Sequence, residues 1–133
     1  MPLAIAVADR FLLDASALLA LLHREPGWDA VAALLPTSAT SSVNWSEVLQ
    51  KAGSRDVDVT ELGADLRQLG VELVDFGPEE AEAAARIWLA GWTSLSFADR
   101  ACLATAQVRG WPAVTADREW AALGLPVVID SIR

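Results

Sequence analysis

Residues 11–22 read FLLDASALLALL, an apolar run broken by one carboxylate, Asp14. Such a run demands burial, yet an unpaired buried carboxylate is costly and tends to take up a proton. The fold must cover the leucines while bringing Asp14 out where its charge is compensated. A short buried strand over residues 10–13 and a helix from Ala15 to His23 meet both demands, with the aspartate at their junction. The turn-forming Glu25-Pro26-Gly27 then stops the helix.

The same alternation continues along the chain. Trp28 to Leu35 reads as a second short helix, ended by Pro36, and Ser38 to Val43 (SATSSV) carries the small and β-branched residues of a strand. A helix follows from about Trp45 to Ala52 with Gly53 as its stop, then a polar loop from Ser54 to Val59. Thr60 caps a helix to Leu69, Gly70 stops it, and Val71 to Phe76 (VELVDF) forms a strand. Gly77-Pro78 opens a helix from Glu79 to Ala90, with acids in its first turn as the helix dipole favours. After a loop over 91–95, Ser96 opens a helix to about Arg109, and Pro112 to Thr115 (PAVT) is a strand. Asp117 begins a short helix through Leu123, and Pro126 to Ile129 (PVVI) is the last strand. Strands separated by helices imply an α/β fold, a mainly parallel sheet covered on both faces. At 133 residues the chain is the size of one domain.

Composition narrows the function classes. Hydrophobic residues make up 53% of the chain, but no uncharged apolar run reaches the roughly 18–20 residues of a membrane span. The N-terminal MPLAIAVADR lacks the basic residues and length of a secretion signal, so a cytoplasmic location without membrane attachment is expected. One cysteine, Cys102, excludes an intramolecular disulfide and a cysteine-based metal cluster. The net charge of −8 argues against nucleic-acid binding through bulk charge. It leaves open an acidic pocket that reaches a phosphate through bound cations, and it suits a basic protein partner.

Four acids stand near strand-to-helix junctions: Asp14, Glu47 in SSVNWSEVLQKA, Asp99 in LSFADRACLATA, and Asp117 in AVTADREWAAL. Each alone has a structural explanation. Asp14 and Asp117 fit helix N-caps, while Asn44-x-x-Glu47 and Ser96-x-x-Asp99 fit the capping-box spacing. Their conjunction says more, because ligands of an open parallel sheet bind outside the carboxyl ends of its strands, where helices begin. Several carboxylates gathered there either raise their pKa values or surround a cation. With one histidine and one thiol in the chain, a hard ion such as Mg²⁺ or Mn²⁺ fits better than zinc. Such a centre suits phosphodiester hydrolysis.

Taken together and in this order, LLDASALLALL (12–22), the acid of SSVNWSEVLQKA, LSFADRACLATA followed by Gly110, and VTADREW (114–120) resemble the PIN-domain ribonucleases, specifically the VapC toxins of type II toxin–antitoxin pairs. The resemblance covers about residues 11–133 and implies a single PIN domain with a three-layer α/β/α fold and metal-dependent endoribonuclease activity. It also implies tRNA or ribosomal RNA as substrate, an antitoxin encoded beside the toxin, and a homodimer. The family's acids fall on Asp14, Glu47, Asp99 and Asp117, and its hydroxyl positions on Thr115 and Ser16. Asp14, Asp99 and Asp117 are expected to hold the metal, Glu47 to complete the cluster and orient the attacking water, and Thr115 to support it. Hydrolysis then leaves a 5′-phosphate and a 3′-hydroxyl. A basic tail of the antitoxin is expected to reach the acidic site. The N-terminal residues 1–10 depart from the pattern as an extension.

Two other classes compete. An aspartate-nucleophile phosphohydrolase wants a second acid two residues after the first, and Asp14-Ala15-Ser16 lacks it. A catalytically silent PIN-like interaction module is expected to have lost part of the acid set. Among other residues, His23 suits a helix C-terminus and Cys102 an apolar helix face. Trp45, Trp88, Trp111 and Trp120 fit packing positions, while Trp28 and Trp92 lie near loops. Arg100 and Arg118, each following a cluster acid, are candidates for touching RNA or for pairing with acids.

Overall fold

The computed structural model describes residues 10–133; most of the expected N-terminal extension, residues 1–9, lies outside the described residues. Strand β1 (Phe11–Leu13) leads into α1 (Ala15–His23) and α2 (Trp28–Leu34), and a 3₁₀ turn (Leu35–Thr37) connects to β2 (Ser38–Ser41). Helices α3 (Ser42–Gly53) and α4 (Leu62–Gln68) precede β3 (Glu72–Val74), followed by α5 (Pro78–Leu89) and α6 (Phe97–Arg109). Strand β4 (Ala113–Thr115), a 3₁₀ turn (Arg118–Ala122) and β5 (Ile129–Ser131) complete the order.

All five strands are parallel, in the order β3-β2-β1-β4-β5. The pleat divides the core in two, since successive side chains of a strand point to opposite faces. Leu12 and Ala113 pack with the Ala83, Ala84 and Ile87 face of α5 and with residues 102–106 of α6. Leu13 and Val114 face the other way, onto Ala17 and Leu18 of α1, Val31, Val48 and Leu66. The result is a three-layer α/β/α sandwich, as expected. Each fully buried leucine contributes about 1.5–3 kcal/mol relative to exposure, and Leu12, Leu13, Leu18 and Leu103 are all in that state. Arg10, immediately before β1, already belongs to the fold. Its guanidinium donates to the carbonyls of Ser38 and Gly70 and pairs with Glu72, tying the start of β1 to the sheet edge.

Several boundaries differ from the sequence reading for identifiable reasons. Helix α3 starts earlier because Ser41, not Asn44, is its cap and accepts from the amide of Val43. Helix α4 begins only after Glu61, so Thr60 does not cap it. The last strand starts at Ile129 rather than Pro126, because the Val127 amide is used in a tight turn to the Leu125 carbonyl. Trp88 is 47% exposed rather than packed, since α5 buries the stripe Glu80, Ala83, Ala84 and Ile87 and leaves the next position outside. Trp120 is core, whereas Trp45 and Trp111 are half-buried. Trp28 lies under the Arg24 guanidinium at 4.5 Å, and Trp92 packs against the α5–α6 side of the core. Among the described residues, no helix is long and apolar enough to cross a membrane.

Candidate active site

The chain winds from β1 outward to β2 and β3 on one side, and from β4 to β5 on the other. Neighbouring β1 and β4 therefore send their following segments in opposite directions, and a crevice opens above their carboxyl ends. Asp14 ends β1 there. Its backbone amide donates to Val114 of β4, and its side chain caps α1 by accepting from the Ala17 amide at 2.8 Å. The capping reading of this residue therefore holds, and the same residue lines the cleft.

Two hydroxyls complete its surroundings. Ser16 Oγ donates to Asp14 Oδ1 at 2.7 Å, and Thr115 Oγ1 donates to Oδ2 at 2.6 Å. The same hydroxyls accept the amides of Ala116 and Asp117, so the turn after β4 is bound to the start of α1 through the groups that orient the carboxylate. Asp14 is 4% exposed, and burial raises its pKa to about 6 against the hydrogen bonds from Thr115, Ser16 and Ala17, with the charge of Asp99 adding to the rise.

The other three acids reach the same place from different elements. Asp99 lies in the first turn of α6, where its amide donates to the Ser96 cap. Burial raises its pKa, hydrogen bonding with Ser96 opposes the rise, and the charges of Glu47 and Asp117 add to it. Asp117 follows β4 and caps the last 3₁₀ turn through the Glu119 amide. Glu47 is not the capping-box acid that Asn44 suggested; it lies in the second turn of α3 and pairs with Lys51 at 2.9 Å. Asn44 instead is buried and donates to the Ala98 carbonyl, fastening α3 to the start of α6.

Asp14, Glu47, Asp99 and Asp117 line one open cleft of about 240 Å³, with Ser16 beside them and Thr115 beneath. They share the cleft without converging on a single point: among the described residues, no three acidic, histidine or cysteine side chains stand ready to hold one ion together. Their chemistry nevertheless fits a hard divalent cation. All donors are oxygens, and Asp14 and Asp99 are destabilised as anions by burial and by neighbouring carboxylates, Asp99 acting on Asp14 and Glu47 and Asp117 on Asp99. Counting Glu25, the cleft holds five carboxylates against Lys51, Arg55 and Arg133, an excess of two negative charges that one divalent ion would balance.

Those three cations were not singled out in the sequence. Arg100 and Arg118 were, yet neither lines the cleft; Arg100 turns to the Leu95 carbonyl and lies near the Phe97 ring. The i, i+4 spacing of Glu47 and Lys51 was a readable signal. No local signal marks Arg133, which arrives from the far end of the chain. Cys102 is fully buried below the acids, and burial first, then their charges, pushes its thiol pKa up, as suits an inert side chain.

Comparison with known proteins places this geometry in a family. The family model for the PIN domain matches residues 11–125. Among solved structures, a toxin–antitoxin complex from Klebsiella pneumoniae aligns with a TM-score of 0.70 and 22% identity, covering 92% of this chain and 97% of that one. The sarcin-ricin loop cleaving toxin VapC20 of Mycobacterium tuberculosis aligns with a TM-score of 0.69 and 22% identity over 89% and 98%. FitAcB from Neisseria gonorrhoeae aligns with a TM-score of 0.70 and 19% identity over 92% and 97%. Comparison with curated protein sequences returns no match. With the family model spanning nearly the whole described chain and the acids gathered at the sheet's switch point, the chain belongs to the PIN domain family.

Proposed function

We propose that this PIN domain is an endoribonuclease that hydrolyses RNA phosphodiester bonds with a divalent cation, Mg²⁺ or Mn²⁺, and acts as the toxin of a type II toxin–antitoxin pair. The observation that carries the reading is the arrival of Asp14, Glu47, Asp99 and Asp117 from four separate elements in one cleft. The toxin role is supported by structural neighbours described as a toxin–antitoxin complex and as a toxin that cleaves the sarcin-ricin loop. An unpaired loop of tRNA or ribosomal RNA is the substrate class this favours, since splayed single strands offer their backbone to an open cleft.

Asp14, Asp99 and Asp117 would hold the cation, which supplies charge neutralisation at the phosphoryl oxygens and a more acidic bound water. Thr115 and Ser16 fix the direction of both Asp14 oxygens. Glu47, ionised beside Lys51 at the cleft wall, is suited to orient the attacking water. The water oxygen bonds to phosphorus, the bond to the 3′ oxygen breaks, and a proton returns to that oxygen, leaving a 5′-phosphate and a 3′-hydroxyl. A partner antitoxin is expected to inhibit by laying basic side chains into the acidic cleft, and the chain is expected to work as a homodimer. A silent interaction module would have no use for all four acids.

The test is cleavage of total cellular RNA by the purified chain with Mg²⁺ or Mn²⁺, with chelator, and with Asp14→Asn or Asp99→Asn. Discrete fragments that vanish under chelator and in both variants support the reading. Intact RNA with folded, cation-supplied protein overturns it in favour of the interaction module.

A further inference from the structure

The cleft has a second half that the acids do not occupy. From Glu47 the cleft wall continues through Lys51, one helical turn on, to Arg55 in the turn after α3. Arg133 closes the same wall from the C-terminus. It is brought there by Gly27, whose left-handed backbone (φ 93°) lets Ile132 pack so close that a Cβ would lie 2.5 Å from its carbonyl oxygen. Arg133 then donates through Nε to the Pro26 carbonyl and pairs with Glu25 at 3.4 Å.

Arg55 is the most loosely paired of these three cations. Glu25 alone faces two guanidinium groups, and it stands 3.9 Å from Arg55, beyond hydrogen-bonding distance. The Arg55 side chain is 59% exposed, and the Lys51 side chain, 56% exposed, has only Glu47 as its partner. The cleft gathers three of the chain's ten basic residues along one wall. Outside the cleft, Arg10 is tied to the sheet edge, and Arg24 and Arg109 lie over Trp28 and Trp111.

We propose that Lys51, Arg55 and Arg133 form a phosphate track, holding the backbone phosphates of a single-stranded RNA next to the one that the acids address. The inference rests on the ribonuclease reading of the cleft. Arg55, more than half exposed at the cleft wall, offers forked donors suited to a phosphate. The track explains how an acidic protein keeps hold of a polyanion: attraction is confined to one wall of the cleft rather than spread over the surface. Arg55 is a positioning residue, since it holds the strand without touching the reacting atoms.

The experiment measures binding of a labelled single-stranded RNA oligonucleotide by fluorescence anisotropy across a salt series. The full chain carries Asp99→Asn so that the strand is not cut, alone and together with Arg55→Ala, Arg55→Lys or Arg109→Ala. Arg55→Ala should weaken binding several-fold and lower the slope of log affinity against log salt by about 0.7, the loss of one phosphate contact to a single strand. Arg55→Lys should keep the slope, and the remote Arg109→Ala should leave affinity and slope unchanged. With Asp99 intact, Arg55→Ala should raise KM while largely sparing kcat. A slope equal in Arg55→Ala and Arg109→Ala overturns the track. If cation-dependent cleavage persists alongside that equality, the ribonuclease reading stands without the track; a lost slope in a chain that never cuts RNA removes the ribonuclease reading alone.

Discussion

Asp14→Asn should stabilise the cation-free protein, and the gain should depend on pH. The carboxyl's pKa rises from 3.8 to about 6 on folding, chiefly by burial. Between those values the folded state binds more protons than the unfolded chain, so stability falls as pH rises and the full penalty is reached above about pH 6. At about 1.4 kcal/mol per pH unit, the shift corresponds to roughly 3 kcal/mol. Asparagine removes the charge and keeps most of the hydrogen bonds. Its Oδ1 accepts from the Ala17 amide and Ser16, and its amide nitrogen donates to Thr115 Oγ1, whose own proton turns toward Ser16 at 3.3 Å. Imperfect geometry reduces the gain to about 2 kcal/mol, or about 7 °C in Tm for a domain of this size. Melting followed by circular dichroism in chelator should show the variant about 1 kcal/mol less stable near pH 4, the two curves crossing as pH rises, and a constant advantage for the variant above about pH 6. Added Mg²⁺ should raise the Tm of the unsubstituted protein and narrow that difference. A variant less stable at every pH, or a difference that ignores pH, would refute burial of the charge as the origin of the shift.

Thr115→Val should remove the donor to Asp14 Oδ2 and leave the Asp117 amide without its acceptor, costing about 1–3 kcal/mol in chemical denaturation and lowering RNA cleavage even at saturating cation. Gly27→Ala should cost at least about 1–2 kcal/mol from the left-handed backbone alone, with the clash against Ile132 added. Because Ile132 carries Arg133 into the cleft, the same variant should weaken RNA binding; a variant as stable as the parent would refute the close packing.

Much of the architecture is written locally. The strand-then-cap pattern at Asp14, the Ser96 cap and the Asp117 turn depend on residues within a few positions of each other, so their placement at helix starts was readable without coordinates. Periodicity likewise separated α1, α5 and α6 from the strands between them. It failed where the choice lay between neighbouring candidates of similar chemistry. Ser41 and Asn44 both suit a cap, and the pairing of β2 with β3, which runs to Ser41, selects Ser41. Trp88 and Ile87 are both apolar, and the packing of α5 on α6 decides which one is covered.

Asp14, Asp117 and the two hydroxyls carry their chemistry in the sequence itself, because residue type and position at the end of a strand specify oxygen donors at the rim of a sheet, whereas Glu47 lies inside α3 and Asp99 opens α6, which follows α5 rather than a strand. Their meeting depends on strand order: β4 lies beside β1, which brings Thr115 within hydrogen-bonding distance of Asp14 across 101 residues of chain. The cation wall depends on it still more, since Arg133 pairs with Glu25 across 108 residues through the approach at Gly27. Propensity and capping act over one or two turns, whereas the raised pKa of Asp14 and the division of the cleft into an acidic and a basic half arise from burial and from charges brought together by folding, and these exist only once the sheet has closed.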